Sequence, residues 1–334
     1  MSKRSRQFLS FFILVAISLP LFVYVIYRIV YNYPKLQDLA PLILEGHNKL
    51  LVFAPHCDDE TLSSAGVILA AQRLGMEVNV VIATNGDGYL FATMEEFHQV
   101  NPTAADYIRM GELRQQESLN ALEVLGVDQE QVIFLSYPDR GTPSLLLENW
   151  SRNNPYWSPY SETINSPYQI TYNPNSVYAG EDFLGDVKSI LDVYRPDLIL
   201  YPHPDDVHGD HWALGAFTRL AASMLERENQ DYRPDLYAYL VHRRDYPEPK
   251  RYQPTLNLLP PRRSYEIDSN WYRWDLSESD VALKDQAVRQ YESQLTTLGY
   301  LIYRFVRQNE PFAKPQPSKL VRLDKGDSNN PDTW

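Results

Sequence analysis

"LLVFAPHCDDETLSSAG", residues 50–66, sets the architecture of the chain. It opens on an apolar run, Leu50 to Ala54. Such a run bounded by turn residues reads as a strand buried on both faces. From Thr61 to Leu74 the sequence places Leu62, Ala65, Leu69 and Leu74 at helical spacing, so they are expected to face inward. Between strand and helix stand His56, Cys57, Asp58, Asp59 and Glu60. Carboxylates this close repel one another, and removing them from water costs free energy. A metal ion, a basic partner or plain solvent would relieve the conflict.

The same alternation continues outward. "EVNVVIATNG" (77–86), "QVIFLSYPD" (131–139), "DLILYPHP" (197–204) and "DLYAYLVHR" (235–243) read as further strands. Helices are expected over 104–125, with Gly126 as C-terminal cap, and over 181–194, 211–228, 278–296 and 298–308. Residues 140–178 show no helical period and read as a long loop, and 246–263 as a Pro-rich connection. Strands that are apolar on both faces and alternate with helices predict an α/β fold, a mostly parallel sheet with helices on both faces. Ligands of such sheets bind beyond the carboxyl ends of the strands. His56–Glu60, Asn85–Asp87, Asp139–Arg140, His203–His211 and His242–Arg244 all follow strands and would share that rim. The sequence holds no internal repeat, P-loop, G-x-G-x-x-G or G-x-S-x-G.

The chain has 334 residues, 44% hydrophobic, with 43 acids against 31 bases. Lys3, Arg4, Arg6, Arg28 and Lys35 fall within residues 1–36, which hold no acid, so the remainder is the more acidic. An acidic body without a basic stripe excludes a nucleic-acid partner. Cys57 is the single cysteine, which excludes an intrachain disulfide and a cysteine-based zinc site. Residues 8–26 carry no charge, and as a helix they would span roughly 28 Å, about one hydrocarbon core. No small-residue cleavage site ends the run, and Tyr24, Tyr27, Tyr31 and Tyr33 suit an interface. The expectation is an uncleaved single-pass signal anchor over 8–31, after a basic segment, 1–7, that stays in the cytoplasm. A juxtamembrane linker over 32–47, an extracytoplasmic domain over 48–312 and a disordered tail over 313–334 complete the expected organisation.

The second polar cluster, "YPHPDDVHGDHWAL" (201–214), holds three histidines. Imidazole nitrogen and carboxylate oxygen suit borderline metals, and a catalytic zinc keeps three protein ligands and one open position. His56 and Asp59, across the strand-to-helix turn, could chelate from one side. A histidine of the second cluster would complete the set and leave Asp58 as general base. His203, Asp205 and Asp206 read as a turn outside it.

The two motifs together resemble the PIG-L/LmbE-like family of zinc-dependent N-deacetylases. Pro55-His56-Cys57-Asp58-Asp59-Glu60 is similar to its P-H-P-D-D-E signature, and His208-Gly209-Asp210-His211 to its H-P-D-H. The similarity extends through "TNGDG" (84–88), Arg114 and Glu117 in "GELRQQES", and "YPDRG" (137–141). The resemblance implies a Rossmann-like fold, with His56, Asp59 and His211 holding one Zn²⁺. Fe²⁺ or Co²⁺ could take the same ligands. It implies Asp58 as general base, His208 as the oxyanion-stabilising histidine, Asp210 as the acid orienting His208, and Arg114 and Asp139 as sugar-binding residues. Asp87, in its turn, and His242, at a strand end, are further candidates for the pocket.

The implied activity is removal of the N-acetyl group from an N-acetylglucosamine-type sugar in a glycan or glycolipid, with release of acetate. The alternatives are another N-acyl amide, or a glycan-binding protein without catalysis. Cys57 and Gly209 stand where the family has proline. Both should loosen the turns without removing a ligand. Strand alternation turns Cys57 away from His56. Arg114 and Glu117, three apart, could equally form a helix-surface ion pair. Most aromatics of 140–178 read as staples for the loop rather than as a saccharide cleft.

Overall fold

The apolar run is strand β2, Lys49–Ala54, buried after its first residue. In this computed structural model, residues 18–24, 35–261 and 269–315 are described. The chain falls into two compact units, Met1–Leu39 and Ala40–Trp334. In the first, residues 18–24 are helical, with Leu19, Leu21, Phe22 and Val23 exposed. The rest of the expected anchor over 8–31 lies outside the described residues. Among the described residues no helix is long and apolar enough to cross a membrane.

In the second unit β2 is preceded by β1 (Ala40–Pro41) and followed by α1 (Asp59–Arg73), β3 (Glu77–Thr84), α2 (Leu90–Phe97) and α3 (Ala104–Val124). Next come β4 (Val132–Tyr137), α4 (Thr142–Leu147), α5 (Gly180–Tyr194), β5 (Leu198–Pro202), α6 (Gly209–Glu228) and β6 (Asp235–Tyr239). Then follow β7 (Ser269–Asp275), α7 (Glu278–Val288), α8 (Glu292–Ile302) and β8 (Asn309–Pro315). The strands form one sheet in the order β1-β7-β8-β6-β5-β2-β3-β4. From β6 to β4 all neighbours are parallel. β8 is antiparallel to both β6 and β7, and β1 is parallel to β7.

Strand alternation sends residues to two cores. Leu50, Val52 and Ala54 of β2 join α1, α3 and α7 on one face. Leu51 and Phe53 join α5 and α6 on the other. Burying each such side chain contributes about 1.5–3 kcal/mol, so both layers hold the sheet in place. The chain runs from β2 outward through β3 to β4, then returns to β5 on the other side of β2. This reversal puts the carboxyl ends of β2 and β5 side by side, the crevice where such sheets bind ligands.

Several expectations need correction. Leu74 is 54% exposed, because α1 ends at Arg73 and Leu74 caps it. Helix also forms at α2, and at α4 within the long loop. The expected helices over 278–296 and 298–308 are instead α7 and α8, split at Tyr291, whose buried hydroxyl donates to Glu60 Oε1 at 2.6 Å. Ordered strand continues to Pro315, past the expected boundary at 312. β8 contains Pro311 and the buried Glu310, and so does not read as strand. Glu310 is held there by Lys284 Nζ at 2.7 Å and by the N–H groups of Gly66 and Val67 at 2.9 and 3.2 Å.

Candidate metal centre and pocket

His56 and Asp59 enter from the turn after β2, and His211 from the first turn of α6, after β5. His211 Nε2 lies 3.3 Å from His56 Nδ1 and 3.0 Å from Asp59 Oδ2. His56 Nδ1 lies 3.1 Å from the same oxygen. The outward nitrogens face acids. His56 Nε2 is 3.2 Å from Asp210 Oδ2 and 3.4 Å from Asp139 Oδ1. His211 Nδ1 is 3.1 Å from Asp206 Oδ2. These acids place the ring protons on the outward nitrogens. The inward nitrogens then aim lone pairs at each other and at the Asp59 carboxylate. Three donors so arranged could hold a metal ion. Burial opposes a charge on His211, but Asp206 and Asp59 outweigh it and raise it to about 9. Burial likewise opposes the His56 cation, and Asp139, Asp210 and Asp59 outweigh it.

Asp58 precedes α1 with φ 149°, strained for a residue with a side chain. Burial, reinforced by Asp59, pushes its carboxyl up to about 7. Arg114 stands beside it, its Nη2 3.7 Å from Asp58 Oδ2. Arg114 also donates to the carbonyls of Gly86 and Cys57, each at 2.8 Å. Gly86 has φ +63°, and a Cβ there would sit 1.8 Å from Arg114 Nη1. Arg114 therefore braces Asp58, and the alternative ion pair of Arg114 with Glu117 does not form. Glu117 instead accepts from the backbone N–H and the hydroxyl of Ser293 at 2.7 Å each, tying α3 to the start of α8.

His208 caps α6, and its Nδ1 accepts the N–H of Asp210 at 3.3 Å. That bond leaves the ring proton on Nε2, and burial lowers its basicity to about 4. The Asp210 carboxylate does not orient His208 through a hydrogen bond: Oδ2 is 3.9 Å from Nδ1. It is held instead by Thr142 Oγ1 at 2.5 Å and by the N–H groups of Arg140 and Thr142 at 2.7 and 3.2 Å, and it faces His56. Gly209, in the place of proline, has a packing reason. A Cβ there would stand 2.8 Å from Pro143 Cγ of α4.

Asp139 accepts from Gly88 N–H at 2.8 Å and lines the pocket beside His56. His242 also lines the pocket, its ring 4.5 Å from that of His211, and it offers a further donor atom within 4.8 Å of the others. Asp87 does not reach the pocket. It is buried behind it, accepting from Tyr168 OH at 2.7 Å. Cys57 is buried in the apolar core and stands outside the candidate metal groups.

Sequence reasoning missed two features. Asp206 is no mere turn acid: its Oδ2 accepts from the N–H groups of Val241 and His242 at 3.1 and 3.0 Å, and its Oδ1 from His208 N–H at 3.0 Å. The second feature is the pocket wall. The cavity, ≈ 610 Å³ with its open mouth, is closed by Leu298, Leu301 and Ile302 of α8 and by Phe305. The aromatics of the long loop line none of it. Tyr168 and Tyr178 are buried, and Trp150 stacks on Phe217 at 6.2 Å.

A mostly parallel sheet with a chain reversal, covered by helices on both faces, and a His/Asp donor set at that reversal define a Rossmann-like α/β protein with a candidate metal centre. The profile of the family described as "PIG-L: GlcNAc-PI de-N-acetylase" matches residues 51–222. The chain belongs to this family. It is 29% identical over 175 residues to proteins named 1D-myo-inositol 2-acetamido-2-deoxy-alpha-D-glucopyranoside deacetylase from Mycobacterium sp. strains KMS and JLS. The match covers 52% of this chain and 49% of each relative, so the chain spans about half the length of the curated relatives it matches. The fold is also similar to that of an N,N'-diacetylchitobiose deacetylase from Pyrococcus horikoshii, with a TM-score of 0.50 and 16% identity, covering 90% of this chain and 94% of the other.

Proposed function

We propose that this chain is a metal-dependent hydrolase that removes the N-acetyl group from an N-acetylglucosamine-type amino sugar in a glycan or glycoconjugate. The observation that carries the reading is the convergence of His56 Nδ1, Asp59 Oδ2 and His211 Nε2 beside the strained Asp58. Family membership and the names of the mycobacterial relatives support the reaction class. Zn²⁺ is the metal we favour, with Fe²⁺ as the alternative, since two imidazoles and a carboxylate suit both. Bound there, it would supply a Lewis acid for the amide carbonyl and the attacking water.

The chain's own groups do the rest. Asp58, braced by Arg114, takes a proton from the attacking water. His208, with its proton on Nε2, donates to the oxygen that gains charge. Asp210 and Asp139 hold His56, and Asp206 holds His211, so the donors need not reorganise. Breaking the C–N bond yields acetate and the amine, which leaves with the transferred proton. The test is acetate release from N-acetylated amino sugars by the zinc-loaded full chain. Asp58→Asn is expected to lower the rate about 10²–10⁴-fold while the chain keeps its metal. Absence of release from every such sugar by the loaded wild type would overturn the reading.

The apolar wall of Leu298, Leu301, Ile302 and Phe305 favours one second reading, an N-acyl group longer than acetyl. N-butyryl and N-acetyl sugars compared in the same assay decide between them. We also read residues 8–31 as a signal anchor that leaves the enzyme outside the cytoplasm, on the uncharged run over 8–26. Protease added to intact cells should then cut the domain, and full protection would sink that topology.

A further inference from the structure

Three arginines line the pocket, Arg114, Arg140 and Arg304. Arg114 is committed to Asp58 and two carbonyls. Arg304 differs. It follows α8, in the short 3₁₀ turn Tyr303–Phe305, and is 5% exposed. Its Nε is buried and has no hydrogen-bond partner. Among the described residues no carboxylate lies within ion-pair distance of it; Glu248 and Tyr300 act on it only at longer range. Its neighbours along the wall, Leu301, Ile302 and Phe305, are apolar. A guanidinium held out of water without an anion is unfavourable, and guanidinium forks match carboxylate and phosphate oxygens.

We propose that Arg304 is an anion subsite of the substrate pocket, which takes a phosphate or carboxylate carried by the amino sugar or its aglycone. The subsite rests on reading the pocket as an amino-sugar site. It adds what the donor cluster does not supply, a reason to prefer a charged substrate over a neutral one. The position also separates the two tasks. His56, Asp59 and His211 lie on the turns after β2 and β5, whereas Arg304 stands on the wall that α8 builds. An anion at Arg304 would fix one end of the sugar while its N-acetyl group reaches the donor cluster.

The test is isothermal titration of the metal-loaded full chain with sugars that cannot be deacetylated: glucosamine, glucosamine 1-phosphate, glucosamine 6-phosphate and muramic acid. The expected result is at least tenfold tighter binding of an anionic sugar than of glucosamine. A phosphate sugar tightened alone assigns phosphate, and muramic acid tightened alone assigns carboxylate. Arg304→Gln should collapse the ratio toward one, and Arg304→Lys should restore part of it, which a merely structural arginine would not do. Equal binding of all four sugars by the wild type overturns the subsite, as does a preference that survives Arg304→Gln. Acetate release without anion preference would leave the hydrolase reading standing and remove the subsite. Anion preference without acetate release from any sugar would do the reverse.

Discussion

Asp206 shows how a single acid can be invisible in sequence and central in space. It sits in "HPDDVH", where nothing in the spacing separates it from Asp205. In the fold Asp205 pairs with Arg243, while Asp206 faces His211 Nδ1 and gathers three backbone N–H groups. Burial raises a carboxyl, but His211 outweighs burial and lowers Asp206 to about 2. Asp206→Asn keeps one acceptor oxygen, for the N–H groups of Val241 and His242, and loses the acceptor for His208 N–H and the charge behind His211. It is expected to weaken metal binding about 10–100-fold, read by competition with a chromogenic chelator; unchanged affinity would show that Asp206 serves the loop alone. The donor residues themselves were legible, because each stands in a short motif after an apolar strand. Asp210 was legible as a site residue, but its pairing with His56 rather than His208 depends on α4, which supplies Thr142.

At the scale of elements, the parallel strands and their helices were legible from doubly apolar runs, whereas β1, β7 and β8 were not. β8 carries prolines and a buried Glu310 that only a distant Lys284 makes tolerable. The pair ties α7 to β8, and Lys284 also donates to Leu62 O of α1 at 2.8 Å. Lys284→Met leaves Glu310 unpaired in the core and should cost about 3–5 kcal/mol of unfolding free energy. The double change with Glu310→Leu should recover much of that in urea melts, and no recovery would refute the pairing argument. The other end of α7 is pinned by Asp280, which receives Arg73 at 2.6 and 3.0 Å and Ser277 N–H at 3.3 Å. Burial raises its carboxyl, but Arg73 and Ser277 outweigh this and hold it below the usual range. A depressed carboxylate adds stability that is present above about pH 4 and lost as pH falls through its folded value. Asp280→Asn should therefore cost ~1 kcal/mol at pH 7 and progressively less below pH 4. Urea midpoints across that range check it, and a cost independent of pH would refute it.

For the whole molecule, the donors are far apart in the chain: His56 and His211 are separated by 155 positions. A metal bound between them joins the turns after β2 and β5, so it stabilises only the folded chain. At a free metal concentration near 100 times Kd the gain is about 2.7 kcal/mol. Adding a chelator should lower the melting temperature of wild type, and should leave that of His211→Ala unmoved. An equal fall in both would place the effect elsewhere. The family profile covers residues 51–222, whereas Leu298, Leu301, Ile302, Arg304 and Phe305 lie beyond it. On the proposed reading, the groups that cleave the bond lie within the matched stretch, while part of the wall that meets the substrate lies beyond it. If that reading holds, changes within residues 294–305 could alter selectivity while the donor cluster stays as it is. Grafting that helix and turn between relatives should then carry selectivity across with it.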